Sequence, residues 1–344
     1  MKIDIKKIAR LARVSPSTVS RYFNHPEKLA EATKEKIHKV IVKYGYFPNE
    51  MARSLRSSKK NMVAIIIQEG EDIFLTSPYF TVFANEVTRE FAKEGYYTII
   101  APEEYPNKPH IAYRNLLQKN LVDGFIVMGM VENDKRMKFL MDRDEQFVTI
   151  GHNPEFSHYT WVDCDNEAGG YLATRHLMSL GCKNILIVNG NSNDFASQKR
   201  LKGYLKALEE DNREINRDLI FLGDVAGMIL KSNFSEDECF KILEPMIKNR
   251  DFDGVFANSD VSAISILKSL AHLKVKLPVV GFDDVSLANI SQPTLTTVRQ
   301  PIRVIARKAA QKLIQKINGE NPDSEMLPVE LIVRESTNYL LNKS

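Results

Sequence analysis

The sequence predicts a small all-α head joined to an α/β body of two lobes. Three observations carry this. Apolar side chains recur at helical spacing in three short segments near the N-terminus; from Met62 onward short apolar runs alternate with amphipathic stretches; and charge divides unevenly between the two parts. Residues 1–60 hold 15 Lys and Arg against 5 Asp and Glu, a net of +10, whereas the whole chain is +3, which leaves −7 for residues 61–344. A basic head on a mildly acidic body suits polyanion contact at one end, because Lys and Arg that neutralise phosphates release condensed counterions.

The first helix is read from Ile5, Ile8, Ala9 and Ala12, which fall at i, i+3, i+4 and i+7 on one stripe. Ser15 suits an N-cap, and Pro16 suits the first helical turn, where its missing N–H would have had no intrahelical partner. From there Val19 and Phe23 point inward, while Ser17, Ser20 and Arg21 lie on other sides as polar groups fit for base edges and phosphates. A third helix, from about Thr33 to Tyr44, repeats the stripe with Ile37, Val40, Ile41 and Tyr44. Beyond Pro48 a helix of about two turns follows, with Asn49 as cap and Ala52, Arg53, Ser54, Leu55 and Arg56 along it. So short a helix needs a docking surface, which DNA and a second copy would supply. Ser57 to Asn61 reads as linker.

In the body, Val63–Ile67, Tyr97–Ala101, Gly124–Met128, Phe147–Ile150, Ile185–Val188, Leu219–Leu222, Val255–Ala257 and Val279–Phe282 read as buried parallel strands. Helical patterns intervene, as at Asn166–Leu180 and Leu201–Glu209. Two consecutive open α/β lobes fit best, with ligands expected at the carboxyl ends of strands and between the lobes.

Length and composition agree. A chain of 344 residues with 43% hydrophobic content is a soluble protein of two or three domains. Cys164, Cys182 and Cys239 lack metal-ligand or redox spacing and read as thiols of a reducing compartment. Met1 to Lys7 lacks an export signal and no window approaches a membrane span, so a cytoplasmic protein is expected. Nucleophile elbows, phosphate-binding glycine loops and zinc spacings are missing from the sequence, and His152 and His158 have no i, i+4 partner, so no metal or cofactor is expected.

A resemblance spans essentially the whole chain. The head is similar to that of LacI/GalR-family transcriptional repressors in Ile5-Lys6-Lys7-Ile8-Ala9, Val14-Ser15, Thr18-Val19-Ser20-Arg21, Tyr44-Gly45-Tyr46, Pro48-Asn49 and Ala52-Arg53-Ser54-Leu55. The body is similar in Val162-Asp163, Asp165 to Gly169, Arg200 to Tyr204, Gly281 to Asp284, Leu295 to Pro301 and Leu327-Pro328. The resemblance implies an all-α helix-turn-helix head (1–47), a hinge helix and linker (48–61), and an α/β two-lobe, periplasmic-binding-protein-like effector domain (62–344). Its lobes are expected at about 62–157 with 294–319, and about 158–293 with 320–342.

The implied partners are a pseudo-palindromic duplex operator, a second copy in a homodimer, and a small effector, a mono- or disaccharide; no membrane is involved. A nucleobase or phosphoprotein corepressor would use the same body. The chain has no leucine-rich tail after Tyr339, which points to a dimer rather than a tetramer. On the DNA side the resemblance assigns Ser15, Pro16, Ser17, Thr18, Ser20, Arg21, Asn24 and Tyr46 in the head, and Asn49, Ala52, Ser54 and the intercalating Leu55 in the hinge. A leucine wedge trades base unstacking for a kinked duplex that touches more protein. Proline at position 16 offers no side-chain donor, which leaves Arg21 as the strongest discriminator, toward guanine.

On the effector side it assigns Tyr79 and Phe80 as aromatic walls, Arg200 and Asp283 as cleft donor and acceptor, and Asp260, Trp161 and Phe234 as further candidates. Asn258-Ser259-Asp260 departs from the adjacent Asn and Asp usual in the family, and Ala30 stands where a capping Ser is usual. The stretches Glu69–Ser77 and Phe147–Pro154 resemble the maltose and α-glucoside regulators within it. A glycosidase would instead need Asp260 and Asp283 at about 5 Å or about 6.5–9.5 Å with one raised pKa. Its DNA-reading head would then have no role. A transport receptor for sugars would need an export signal and no basic head.

Overall fold

The computed structural model describes residues 4–46, 59–67, 77–103, 108, 110–223, 241, 244 and 252–341. It forms two units, Met1–Lys60 and Asn61–Ser344. In the head, α1 (Ile5–Ala12) is capped by Asp4, whose carboxylate accepts from the Lys7 N–H at 2.8 Å, and α2 (Pro16–Asn24) is capped by Ser15, whose Oγ accepts from the Thr18 N–H at 3.1 Å. The third helix, α3 (Glu31–Tyr44), starts two residues earlier than expected, and Ala30 at its N-cap gives it no side-chain hydrogen bond. Ile8, Ala9, Ala12, Val19 and Ile37 form the core, with Phe23, Val40 and Ile41 at its edge. Tyr44 departs from its expected inward place: it is 41% exposed, and Tyr46 packs against Phe23 instead, ring centroids 6.1 Å apart.

The body begins with β1 (Met62–Ile67), α4 (Pro78–Lys93), β2 (Tyr97–Pro102), α5 (Ile111–Gln118), β3 (Gly124–Val127), α6 (Lys135–Met141), β4 (Phe147–Ile150) and β5 (Thr160–Cys164). The chain then crosses into α7 (Asn166–Ser179), β6 (Ile185–Asn189), α8 (Phe195–Glu210), β7 (Ile220–Leu222), β8 (Gly254–Ala257), α9 (Asp260–His272), β9 (Val279–Asp283), α10 (Ser286–Ile290) and β10 (Thr296–Arg299). It returns through α11 (Ile302–Ile317) and β11 (Glu325–Leu327), and ends with β12 (Glu330–Ile332) and α12 (Glu335–Leu341).

Two sheets result. The first has strand order β11-β5-β4-β3-β1-β2 and the second β12-β10-β9-β8-β6-β7; among the described strands only β12 runs antiparallel, against β10. Helices cover both faces, which is why β3, β4, β6 and β8 are buried along their whole length. Strand order reverses between β1 and β3 and again between β6 and β8, where crevices open at the carboxyl ends. Three crossings of one or two residues join the lobes: at Asp165, at Gln300-Pro301 and at Pro328-Val329. The lobe limits therefore differ from those expected. Thr160–Cys164 pairs with β4 and Glu325–Leu327 with β5 in the first sheet, and Thr296–Arg299 pairs with β9 in the second.

In the second lobe α7 and α8 cross with their backbones in close approach. A Cβ on Gly203 would lie 2.0 Å from the Glu167 carbonyl oxygen, and one on Gly170 would lie 2.1 Å from that of Arg200. Gly203→Ala is therefore expected to destabilise the protein by roughly 1–3 kcal/mol, against the gain of up to ~1 kcal/mol that alanine brings to an unconstrained helix. Urea unfolding checks it: the midpoint should fall with the slope unchanged, and a raised midpoint would mean the helices can part.

Candidate functional site

Two surfaces carry the candidate residues. On the head, Ser15, Pro16, Ser17 and Arg21 are exposed at and beyond the start of α2, and Thr18 and Ser20 are half-buried. The Ser15 hydroxyl is not free for DNA alone: besides capping α2 it shares hydrogen bonds with the hydroxyls of Ser17 at 2.7 Å and Thr18 at 2.8 Å. Ser17 and Arg21, one turn apart, are left as a polar pair facing outward. Tyr46 is half-buried on the head core rather than on open surface. Asn24 closes α2, its side chain lying outside the described residues, as do Asn49, Ala52, Ser54, Leu55 and Phe234.

In the body a cavity of about 350 Å³ lies between the lobes. It draws Tyr79 from the start of α4, Met128 to Met130 after β3, His152 after β4, and Asp163 near the end of β5. From the other side come Asp194 to Ala196 and Arg200 on α8, Asp283 at the end of β9, and Gln300 at the second crossing. Its polar side chains form a linked set. Arg200 donates from Nε to the Asn166 Oδ1 at 2.8 Å and from Nη1 to the Asn258 carbonyl, and its guanidinium lies over the Phe282 ring, 3.7 Å from the centroid. Gln300 donates to Asp283 Oδ1 at 2.6 Å and accepts from the Cys164 thiol at 3.0 Å. Asp163 pairs with Lys199 at 2.9 Å and accepts from the His152 N–H at 3.1 Å. Arg200 and Asp283 are thus held as separate donor and acceptor, able to bind neighbouring hydroxyls of one ligand.

Three expected cleft residues stand elsewhere. Phe80 is 2% exposed and belongs to the hydrophobic core, because it follows Tyr79 on a helix and turns about 100° away from it. Asp260 is fully buried: its carboxylate accepts from the Thr297 hydroxyl and from the Val285 N–H at 2.9 Å, so it braces β10 and the turn after β9 from beneath. Burial, then the charge of Asp283, pushes its pKa well above the usual carboxylate range. Trp161 stands behind the cleft wall, its ring 4.8 Å from that of His152. Conversely, Asp163, Asn166 and Gln300 sit in the sequence motifs that carry the resemblance but were given no role there; His152, Asp194 and Phe195 had no signal beyond their place after strands.

The lobes also touch along one rim of the cleft. The Glu132 N–H donates to the Asn193 carbonyl at 3.0 Å, the Phe195 N–H to the Met130 carbonyl at 3.1 Å, and Gln198 Nε2 to Glu132 Oε1 at 2.6 Å. Phe195 comes from the second lobe, yet its ring is buried in the core cluster of the first.

Comparison with known proteins agrees with this architecture. A family model for bacterial regulatory proteins of the lacI family matches residues 4–49, and one for a periplasmic binding protein-like domain matches residues 174–337. The HTH-type transcriptional repressor PurR of Vibrio parahaemolyticus serotype O3:K6 (strain RIMD 2210633) is 28% identical over 98% of this chain and 99% of its own. The HTH-type transcriptional regulator CelR of Thermobifida fusca is 28% identical over 96% and 97%. Among solved structures, a transcriptional regulator CelR–cellobiose complex superposes with a TM-score of 0.72 at 26% identity, covering 97% of this chain and all of that one. The Lac repressor dimer bound to operator and the anti-inducer ONPF shares the fold, with a TM-score of 0.83 at 20% identity over 98% and 99%.

Burial pushes the Asp283 carboxyl up to about 6, with the charge of Arg200 and the Gln300 hydrogen bond opposing. The folded chain then binds this proton more tightly than the unfolded chain, whose Asp titrates near ~3.9. The resulting stability is complete below about pH 4 and is lost as pH rises through about 6. Asp283→Asn, neutral throughout, is expected to exceed the parent in stability by roughly 1–3 kcal/mol at pH 7.5 and to match it at pH 4. Denaturant unfolding at the two pH values reads the difference; an equal gap at both would assign it to packing instead.

Proposed function

We propose that this chain, which belongs to the lacI family of bacterial regulatory proteins, represses carbohydrate-utilisation genes and leaves its operator when a small sugar enters the cleft between its lobes. It is a DNA-binding transcriptional regulator, not an enzyme. The observation that carries the sugar reading is the cleft's pairing of a fixed donor, Arg200, with a fixed acceptor, Asp283, opposite the ring of Tyr79 on the other lobe. A pyranose presents vicinal hydroxyls to such a pair and an apolar face to such a ring. The likeness to a regulator solved with cellobiose supports the same class of ligand.

On the DNA side, Arg21 reads a guanine with Ser17 beside it, in the major groove, while the hinge segment with Leu55 takes the central minor groove. A pseudo-palindromic operator calls for two copies. Apolar side chains exposed on the edge strands, Tyr97 (65%) and Ile100 on β2 and Leu222 on β7, give a second copy a surface to cover. No described helix is long and apolar enough to cross a membrane, and the work proposed is done on cytoplasmic DNA. The sugar acts by linkage: it favours one arrangement of the lobes, and the hinge segments of the dimer have lower operator affinity in that arrangement.

Two measurements test this. Arg21→Ala should weaken binding to the best operator by roughly 1–3 kcal/mol and flatten base preference at one position; an equal loss on random DNA would make Arg21 a phosphate contact. Thermal unfolding against mono- and disaccharides, sugar phosphates and nucleobases should show stabilisation by a sugar, about 2.7 kcal/mol at 100 times its Kd, and that sugar should release operator DNA in a mobility-shift assay. A nucleobase that stabilises the protein and tightens operator binding would replace induction with corepression.

A further inference from the structure

We propose that the cleft accepts uncharged sugars and turns away their phosphorylated forms, with Asp194 as the residue that sets this preference; the inference rests on the carbohydrate reading above. Among the described residues the cleft is lined by three carboxylates, Asp163, Asp194 and Asp283, and by one permanent cation, Arg200. The cations at hand are already engaged. Lys199 is committed to Asp163, and Arg200 is bonded through Nε and Nη1 with its guanidinium over Phe282 and its charge opposing that of Asp283.

Asp194 is the carboxylate without such compensation. Among the described residues no Lys or Arg lies within ion-pair distance of it. Its Oδ2 accepts from the Ser197 N–H and hydroxyl, both at 2.7 Å, and it caps α8, a helix of 16 residues whose N-terminus opens on the cleft. A helix N-terminus attracts anions. Here that position is filled by a fixed negative side chain, so a phosphate brought to it meets repulsion rather than open N–H groups. Two other helices open on the cleft and neither offers a free cap: in α4 Pro78 has no N–H and that of Phe80 goes to the Ser77 hydroxyl, and α7 is capped by a second carboxylate, Asp165, which accepts from the Ala168 N–H at 2.8 Å. Neutral hydroxyls, which donate as well as accept, are compatible with all three carboxylates.

The test is isothermal titration of the full chain at pH 7.5 with matched pairs: glucose and glucose 6-phosphate, maltose and maltose 6′-phosphate, cellobiose and cellobiose 6′-phosphate. The neutral member of the pair that binds should be favoured by about tenfold or more, and Asp194→Asn should narrow the ratio by about threefold or more. Asparagine retains the cap acceptor and removes only the charge; Asp194→Ser, a second uncharged cap, should narrow the ratio likewise, which separates charge from fit. A phosphorylated sugar that binds as tightly as its neutral partner, or a neutral preference that neither variant narrows, would overturn the proposal and leave the carbohydrate reading standing. Binding of hypoxanthine with no response to any sugar, or no response to any member of the panel, would overturn both.

Discussion

The close crossing of α7 and α8 is the constraint on which the ligand cleft depends. Where Gly170 and Gly203 let the two backbones touch, the helices are positioned by main chain against main chain, with no flexible side chain between them. A third glycine, Gly169, faces the Phe282 ring, where a Cβ would come within 2.5 Å. Asn166 opens α7 and Arg200 lies on α8, so the 2.8 Å hydrogen bond between them inherits that positioning. The same Phe282 ring lies beneath the Arg200 guanidinium. One packing unit of two helices and a strand thus sets the direction of the principal donor. Its contacts with the Asn166 side chain, the Asn258 carbonyl and the Phe282 ring leave the guanidinium few alternative rotamers, which reduces the entropy lost when a ligand is bound.

The second determinant lies at the crossings. Asp163, Cys164 and Gln300 occupy or adjoin the segments that pass from lobe to lobe, and Gln300 links the Cys164 thiol to the Asp283 carboxylate. Movement about the crossings therefore acts directly on the cleft acceptor. Asp283 and Asp284 hold positive φ values of 122° and 57°, conformations that cost a non-glycine residue of order 1–3 kcal/mol. Asp284 is held there by Arg299 and Arg334, at 2.6 Å each, and Asp283 by Gln300. Strain at this turn persists because two ion pairs at Asp284 and the Gln300 hydrogen bond at Asp283 over-determine the backbone.

Much of this was legible in the sequence, and the parts that were not share a physical cause. The head was readable because Ile5, Ile8, Ala9, Ala12, Val19 and Ile37 keep helical spacing and Ser15-Pro16 marks a helix start. The interior strands were readable as uninterrupted apolar runs. By contrast β5, β10, β11 and β12 are short, carry polar residues such as Asp163 and Thr297, and lie near the crossings, so no periodicity separates them from loop. The lobe limits moved for that reason. Arg200, Asp283 and Tyr79 reach the cleft as the resemblance implied, whereas Asp260 and Phe80 share their local motifs and not their direction. Side-chain direction depends on which face of a helix turn is covered, and that is settled only by tertiary packing. Phe195 gave no signal beyond its place after a strand, since its importance comes from a lobe more than sixty residues away in the chain.

The rim contacts bound how strongly a ligand needs to act. Two main-chain hydrogen bonds and one side-chain bond join the lobes there, each contributing roughly 0.5–1.5 kcal/mol. Burying the Phe195 ring in the opposite lobe adds about 1.5–3 kcal/mol. Ordering of the two loops offsets part of this, at about 1–2 kcal/mol per residue fixed. The gain and the cost are of similar size, so the 1–3 kcal/mol typical of coupling between sites is enough to bias the rim. A ligand that touches Tyr79 on one lobe and Arg200 and Asp283 on the other spans the crossings, so its contacts change in number as the lobes turn. Affinity for either lobe alone shifts nothing; only contacts that differ between arrangements reach the DNA. On the proposed reading, three or four hydrogen bonds from a small sugar, divided between the lobes across a cleft of about 350 Å³, carry enough of that difference to move the balance.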